Sequence, residues 1–171
     1  MNTKKIVYSA MFVAIGILLP MIFHGFNMGG QVYLPMHIPV LIAGMFLGPL
    51  PGLLVGITTP LLSSLLTGMP PIFPMLPIMI AELGIYGLSS GYIARVMKGK
   101  TVLPLVAGMI DGRIAAGLVV MVLSRFFGAQ LSVLPFLKAA IITGLPGILI
   151  QIIIIPPIIR ALRKTLTSPL T

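Results

Sequence analysis

In KKIVYSAMFVAIGILLPMIF (Lys4–Phe23) two lysines precede a long apolar run, and this stretch decides the fold. A helix that crosses a bilayer needs about 20 predominantly apolar residues, and Ile6–Phe23 nearly supplies them. A basic start followed by an apolar run also looks like a signal peptide. The run is long for such a segment and shows no clear small-residue cleavage site, so it reads as a retained first span.

The same pattern recurs outward from that stretch. Of 171 residues 58% are hydrophobic and 8% charged, with mean hydropathy +1.17. A soluble core cannot use that much apolar surface, whereas a bilayer can. After the polar, glycine-rich His24–Gln31 segment, a second span is expected over Val32–Leu47, ending in a tight Gly48–Gly52 turn. The third, Leu53–Leu66, is short enough to be tilted, broken or re-entrant. The proline-rich loop Thr67–Pro74 leads to spans at Met75–Val96, Val102–Phe127 and Pro135–Leu162. The expectation is an all-α integral membrane protein: a six-transmembrane-helix bundle forming one transmembrane domain over residues 1–171.

Charge sets the expected orientation. Lys4, Lys5, Arg95, Lys98, Lys100, Arg160, Arg163 and Lys164 collect at alternate span ends, which places both termini in the cytoplasm. Only Arg125 and Lys138 fall toward the other side, and Arg113 lies within a span. The net charge of +9 therefore reads as topology. No basic stretch interleaved with aromatics points to nucleic acid. The absence of cysteine excludes disulfides, thiol catalysis and thiolate metal sites.

The two acids, Glu82 and Asp111, both fall inside predicted spans, where ionisable residues usually face the bundle interior or a pathway. At 1.5 Å per residue, His37, Ser63, Ser64, Glu82, Lys138 and Thr143 fall in the outer half of the bundle. Asp111 and Arg113 fall near mid-depth, and the inner half is apolar apart from Gln151. This asymmetry fits a cup open to one side better than a pathway polar throughout. Each residue also has a structural reading: Glu82–Arg113 as a buried packing pair, His37 as an interhelical hydrogen-bonding group, and the hydroxyls as partners of their own helix backbone. Prolines 35, 39, 60, 77, 146, 156 and 157 lie in apolar runs and predict bent or broken spans around a cavity. Met69, Pro70 and Phe73 belong to a loop that is either an apolar lid or a rigid connector.

No HExxH, GxSxG or GxxxxGK[ST] motif occurs, so metalloprotease, serine hydrolase and ATPase chemistry find no support. No metal or cofactor is expected. Small residues four apart (Gly48/Gly52/Gly56, Gly87/Gly91, Gly108/Gly112) predict close helix approach. Ala10 and Ala14 give the first span a small face with no strongly polar inward residue, free to meet another protein.

The length, the six spans, the AMFVA stretch (Ala10–Ala14) and TPLLSSLLTGMPPIFP (Thr59–Pro74) together resemble the substrate-binding S components of energy-coupling factor transporters, across essentially the whole chain. That resemblance implies a vitamin-binding subunit in the bacterial cytoplasmic membrane. It further implies association with a transmembrane coupling subunit through Ala10 and Ala14, and with two cytoplasmic ATPases. Substrate would sit near the outer surface, which matches the depth of His37, Glu82, Arg113 and Lys138. The first loop would help to occlude it. Without Trp, a tryptophan-stacked thiamin site is not expected. Hydroxymethylpyrimidine or a pyridoxine-like ring is favoured, with pantothenate a close rival. Two readings from other classes stand beside this one: a proton-coupled carrier using Glu82, Asp111 and His37, and a non-transporting membrane scaffold.

Overall fold

The computed structural model describes residues 2–25 and 30–166. Seven helical segments are seen there: α1 (Thr3–Gly25), α2 (Gly30–Tyr33), α3 (His37–Leu47), α4 (Pro49–Thr67), α5 (Met75–Val96), α6 (Val102–Phe126) and α7 (Val133–Leu166). Five of them are long and apolar enough to cross a membrane. Residues 26–29, within the expected first loop, lie outside the described residues.

The expected second span is not continuous. A four-residue α2 is followed by a break at Leu34–Met36, and α3 has only 11 residues. At 1.5 Å per residue α3 extends about 16 Å, about half of a hydrocarbon core. Pro35 and the positive φ of Leu34 (50°) interrupt the helix. Non-helical backbone survives at membrane depth only where protein covers it. Here Leu34, Pro35 and Met36 are all buried. The Leu34 carbonyl accepts the His37 amide at 3.1 Å and the Gln151 side-chain amide at 3.3 Å. Gln151 of α7 is thus the cap of a broken span.

The third span is a correction in the other direction. It begins at Pro49, not Leu53, and its 19 residues make a full crossing. The expected five-residue turn shrinks to Gly48, whose φ of 111° suits glycine. The prolines explain why. Pro39, Pro51, Pro77, Pro104 and Pro135 are each the third residue of their helix. The first turn has no intrahelical acceptors for its amides, so a proline there sacrifices no bond. Pro39 and Pro77 therefore open helices, contrary to the expectation that they bend them. Pro20, Pro60, Pro146, Pro156 and Pro157 do lie in helix interiors.

α3 is the hub, packed against α1, α4, α5, α6 and α7, and nine of its residues are buried. Its contacts with α4 and α5 are backbone to backbone. A Cβ on Gly87 would collide with the Gly52 carbonyl, one on Gly44 or Gly52 with the Gly87 carbonyl, and one on Gly56 with the Leu83 carbonyl. Gly108 and Gly112 of α6 sit against Ser90 and Tyr86 of α5 in the same way. The expected small-residue spacings thus act inside the bundle. α1 lies differently: Ala10 and Ala14 are exposed, on a face shared with Val7, Met11 and Leu18. Among the five long helices, hydropathy falls in the order α1, α7, α6, α4, α5, and the buried share rises in that same order.

At one end of the bundle the basic residues gather. The Arg163 guanidinium donates to the Met45 carbonyl at 3.4 Å, Arg95 lies over Gly48, and Tyr8 packs edge-on against Phe46 with ring centroids 6.4 Å apart. Replacing Gly87 by Leu should lower the melting temperature in detergent sharply, because overpacking a tight core costs about 1–3 kcal/mol or more. Gly84→Ala, which meets only the flexible Leu53 and Ile57 side chains, should change it little. Equal melting temperatures for the two variants would remove the backbone-contact account.

Candidate functional site

α3, α5 and α6 each deliver one polar side chain to a common point. Breaking the second span makes His37 the first residue of α3. Glu82 lies seven residues into α5, about 10 Å along it, and Arg113 lies at the middle of α6. Glu82 Oε1 is 2.6 Å from Arg113 Nη1 and 3.7 Å from His37 Nε2. The exposure of the His37 and Glu82 side chains is 5% each, and that of Arg113 is 13%. Tyr86, one turn beyond Glu82, closes the cluster: its ring meets the His37 ring edge-on, centroids 5.1 Å apart. That ring is itself held by Gly112, where any side chain would strike it.

The cluster is not self-sufficient. Among the described residues, both ring nitrogens of His37, and Nε and Nη2 of Arg113, are buried with no hydrogen-bond partner. Glu82 engages Nη1 and leaves the Nε–Nη2 edge of the guanidinium unengaged. That edge is a planar fork suited to two adjacent acceptor atoms. Gly144 of α7 lies beside it, with a Cβ position 3.5 Å from Nη2 and 3.0 Å from Leu34 Cδ1, so a side chain there would crowd both. Buried polar groups are almost always hydrogen-bonded, and charged groups at membrane depth mark functional sites by default.

The other expected residues lie elsewhere. Asp111 accepts a hydrogen bond from Ser89 and joins neither His37 nor Glu82 in an ion pair among the described residues. Lys138 and Thr143 lie on the exposed face of α7. The Ser63 hydroxyl donates to the Met69 carbonyl and the Ser64 hydroxyl to the Pro70 carbonyl, each at 2.7 Å. Both serines therefore staple the 67–74 loop to the end of α4. Gly68, with φ of 72°, starts that loop and returns its amide to the Ser64 carbonyl. In the loop Pro70 is buried, whereas Met69 and Phe73 are 54% and 51% exposed. Two residues of the site were overlooked in the sequence. Tyr86 was signalled by its i+4 spacing from Glu82, which puts both on one helix face. Gly144 carried no signal, since its role depends on which helix crosses α6.

Five long apolar helices around a buried, incompletely satisfied polar cluster define a polytopic helical membrane protein. The family model "ECF transporter, substrate-specific component" matches residues 4–159, and the chain belongs to that family. No curated protein and no solved structure matches it.

Breaking a buried ion pair by removing one partner typically costs about 3–5 kcal/mol, because the remaining charge is stranded. Glu82→Gln and Arg113→Met should each lower the melting temperature strongly, and the double variant should recover much of the loss. A double variant as unstable as the sum of the two would mean that the pair is not coupled.

Proposed function

We propose that the chain captures a water-soluble vitamin or vitamin precursor from outside a bacterial cell and passes it to a transport module in the cytoplasmic membrane. Solute is held by His37, Glu82 and Arg113, with Tyr86 and Gly144 shaping the space. The observation that carries this reading is the buried Nε–Nη2 edge of Arg113 beside the unpartnered nitrogens of His37, in a chain of a substrate-specific transporter family. The 67–74 loop serves as the roof, and Ser63 and Ser64 act through it by fixing its course.

Charge favours a neutral ring. Glu82 and Arg113 offset each other's charge at 2.6 Å. A carboxylate solute would add an uncompensated charge beside Glu82, and unpaired charge in a low-dielectric site is costly. A small heterocycle offering ring nitrogen and hydroxyl acceptors to the fork adds none. Hydroxymethylpyrimidine and pyridoxine-like rings meet that requirement, and pantothenate meets it less well despite its suitability for a charge-assisted bond to Arg113. A proton relay through Glu82, Asp111 and His37 is disfavoured because Asp111 pairs with Ser89 and lies outside the His37–Glu82–Arg113 cluster.

The exposed Ala10–Ala14 face of α1 is the contact with a transmembrane coupling subunit, itself served by two ATPases. Small side chains there allow a partner helix to approach closely.

Mass spectrometry of small molecules retained by the protein expressed alone tests the solute reading. The expected result is a near-stoichiometric heterocycle, and ring compounds at 100 times Kd should stabilise the fold by about 2.7 kcal/mol. Arg113→Lys keeps the charge opposite Glu82 and loses the fork, so affinity should fall at least roughly tenfold, the worth of one charge-assisted hydrogen bond. Stabilisation by pantothenate alone would overturn the ring class and leave solute capture standing. Uptake by the isolated chain that collapses with the proton gradient would establish a carrier instead. Separately, Ala14→Trp should abolish co-purification with the coupling subunit and leave solute binding intact; a surviving complex would place the interface elsewhere.

A further inference from the structure

Beyond the solute site, the bundle has a second concavity of opposite chemistry. Among the described residues α1 and α7 make no contact with each other, although both pack on α3. The gap between them is a groove of about 380 Å³, open at the side of the bundle, with α3 as its floor. Tyr8 and Ile15 mark its extent on α1, Ile38 and Phe46 on the floor, and Ile158 and Leu162 on the α7 wall. Seven residues separate Tyr8 from Ile15, about 10 Å along the helix, most of one leaflet's share of a core about 30 Å thick.

Charge at the mouth of the groove identifies the occupant. Lys4 and Lys5 precede Tyr8 by four and three residues, which puts them on the groove face of α1. Across the gap Arg163 follows Leu162 and reaches the floor, donating to the Met45 carbonyl at 3.4 Å. Arg160 and Lys164 are exposed on the same turns of α7. No acid balances them, since Glu82 and Asp111 are the only two in the chain and both lie in α5 and α6. A slot apolar along its depth, ending in a basic collar at the level of the interface, matches an acyl chain joined to an anionic head group. Basic pockets between helices on this side of a membrane are suited to phospholipid phosphates.

We propose that the α1–α3–α7 groove binds an anionic phospholipid of the adjacent leaflet, one acyl chain lying along α3 and the phosphate held by Lys4, Lys5 and Arg163. Such a lipid fills the gap between α1 and α7.

Native mass spectrometry of the full chain released from nanodiscs containing equal phosphatidylglycerol and phosphatidylcholine tests this. The expected result is retention of phosphatidylglycerol over phosphatidylcholine by at least tenfold. Lys4→Gln/Lys5→Gln should remove that preference, and Ile15→Trp, which fills the groove without touching the collar, should remove the retained lipid itself. Because Arg163 also ties α7 to α3, the lysine pair is the informative charge variant. Equal retention of the two lipids would overturn the proposal. So would a phosphatidylglycerol preference that survives Ile15→Trp, which would place the lipid on the charged rim and not in the groove. Loss of the coupling-subunit complex in Ile15→Trp with lipid retention unchanged would make the groove a protein contact and would equally overturn it.

Discussion

A backbone carbonyl inside a membrane must find a donor, and the carbonyl of Leu34 organises this molecule by finding two. The second span breaks at Leu34–Met36, and the His37 amide and the Gln151 side chain close the break from opposite sides. That closure starts α3 at His37, two residues before Pro39 and 3.7 Å from Glu82. It also recruits α7 to the bundle, through the Gln151 side chain. Without the break, His37 would sit inside a continuous helix, where it would have to meet Glu82 from a different height.

Close backbone packing turns that local event into a site. Gly44, Gly52, Gly56 and Gly87 bring α3, α4 and α5 within van der Waals reach of one another's carbonyls. At that spacing the first residue of α3 and the second turn of α5 share a small volume. Tyr86 stacks between α5 and α6 because Gly112 yields the space, which aligns the middle of α6 and brings Arg113 to Glu82. The polar cluster is therefore a product of glycine contacts that themselves carry no polar side chain.

Much of this was written in the one-dimensional pattern. The apolar runs and the four-residue glycine spacings depend on local composition, and they survive in the structure as helices and helix contacts. Glu82 and Arg113 were legible because charges in apolar spans are few and must pair. Other features depended on three-dimensional context. Pro39 and Pro77 looked like kinks inside apolar runs, and only the helix starts two residues earlier make them first-turn prolines. The break in the second span was signalled by Pro35 and not by hydropathy, because Val32–Leu47 is apolar on both sides of it. Ser63 and Ser64 looked like site residues by depth, whereas their hydroxyls are directed by a loop whose path the sequence does not state.

The opposed ranking of hydropathy and burial among the long helices bears on how the protein is made. α1 is the most apolar and least covered, so it can partition from the translocon into lipid unaided. α5 is the least apolar and most covered, and it carries Glu82 into hydrocarbon at a cost. Its counter-charge, Arg113, lies in the next helix to emerge from the ribosome. The two helices are thus suited to enter the bilayer as a hairpin already neutralised. α5 therefore gains its counter-charge only once α6 has followed it.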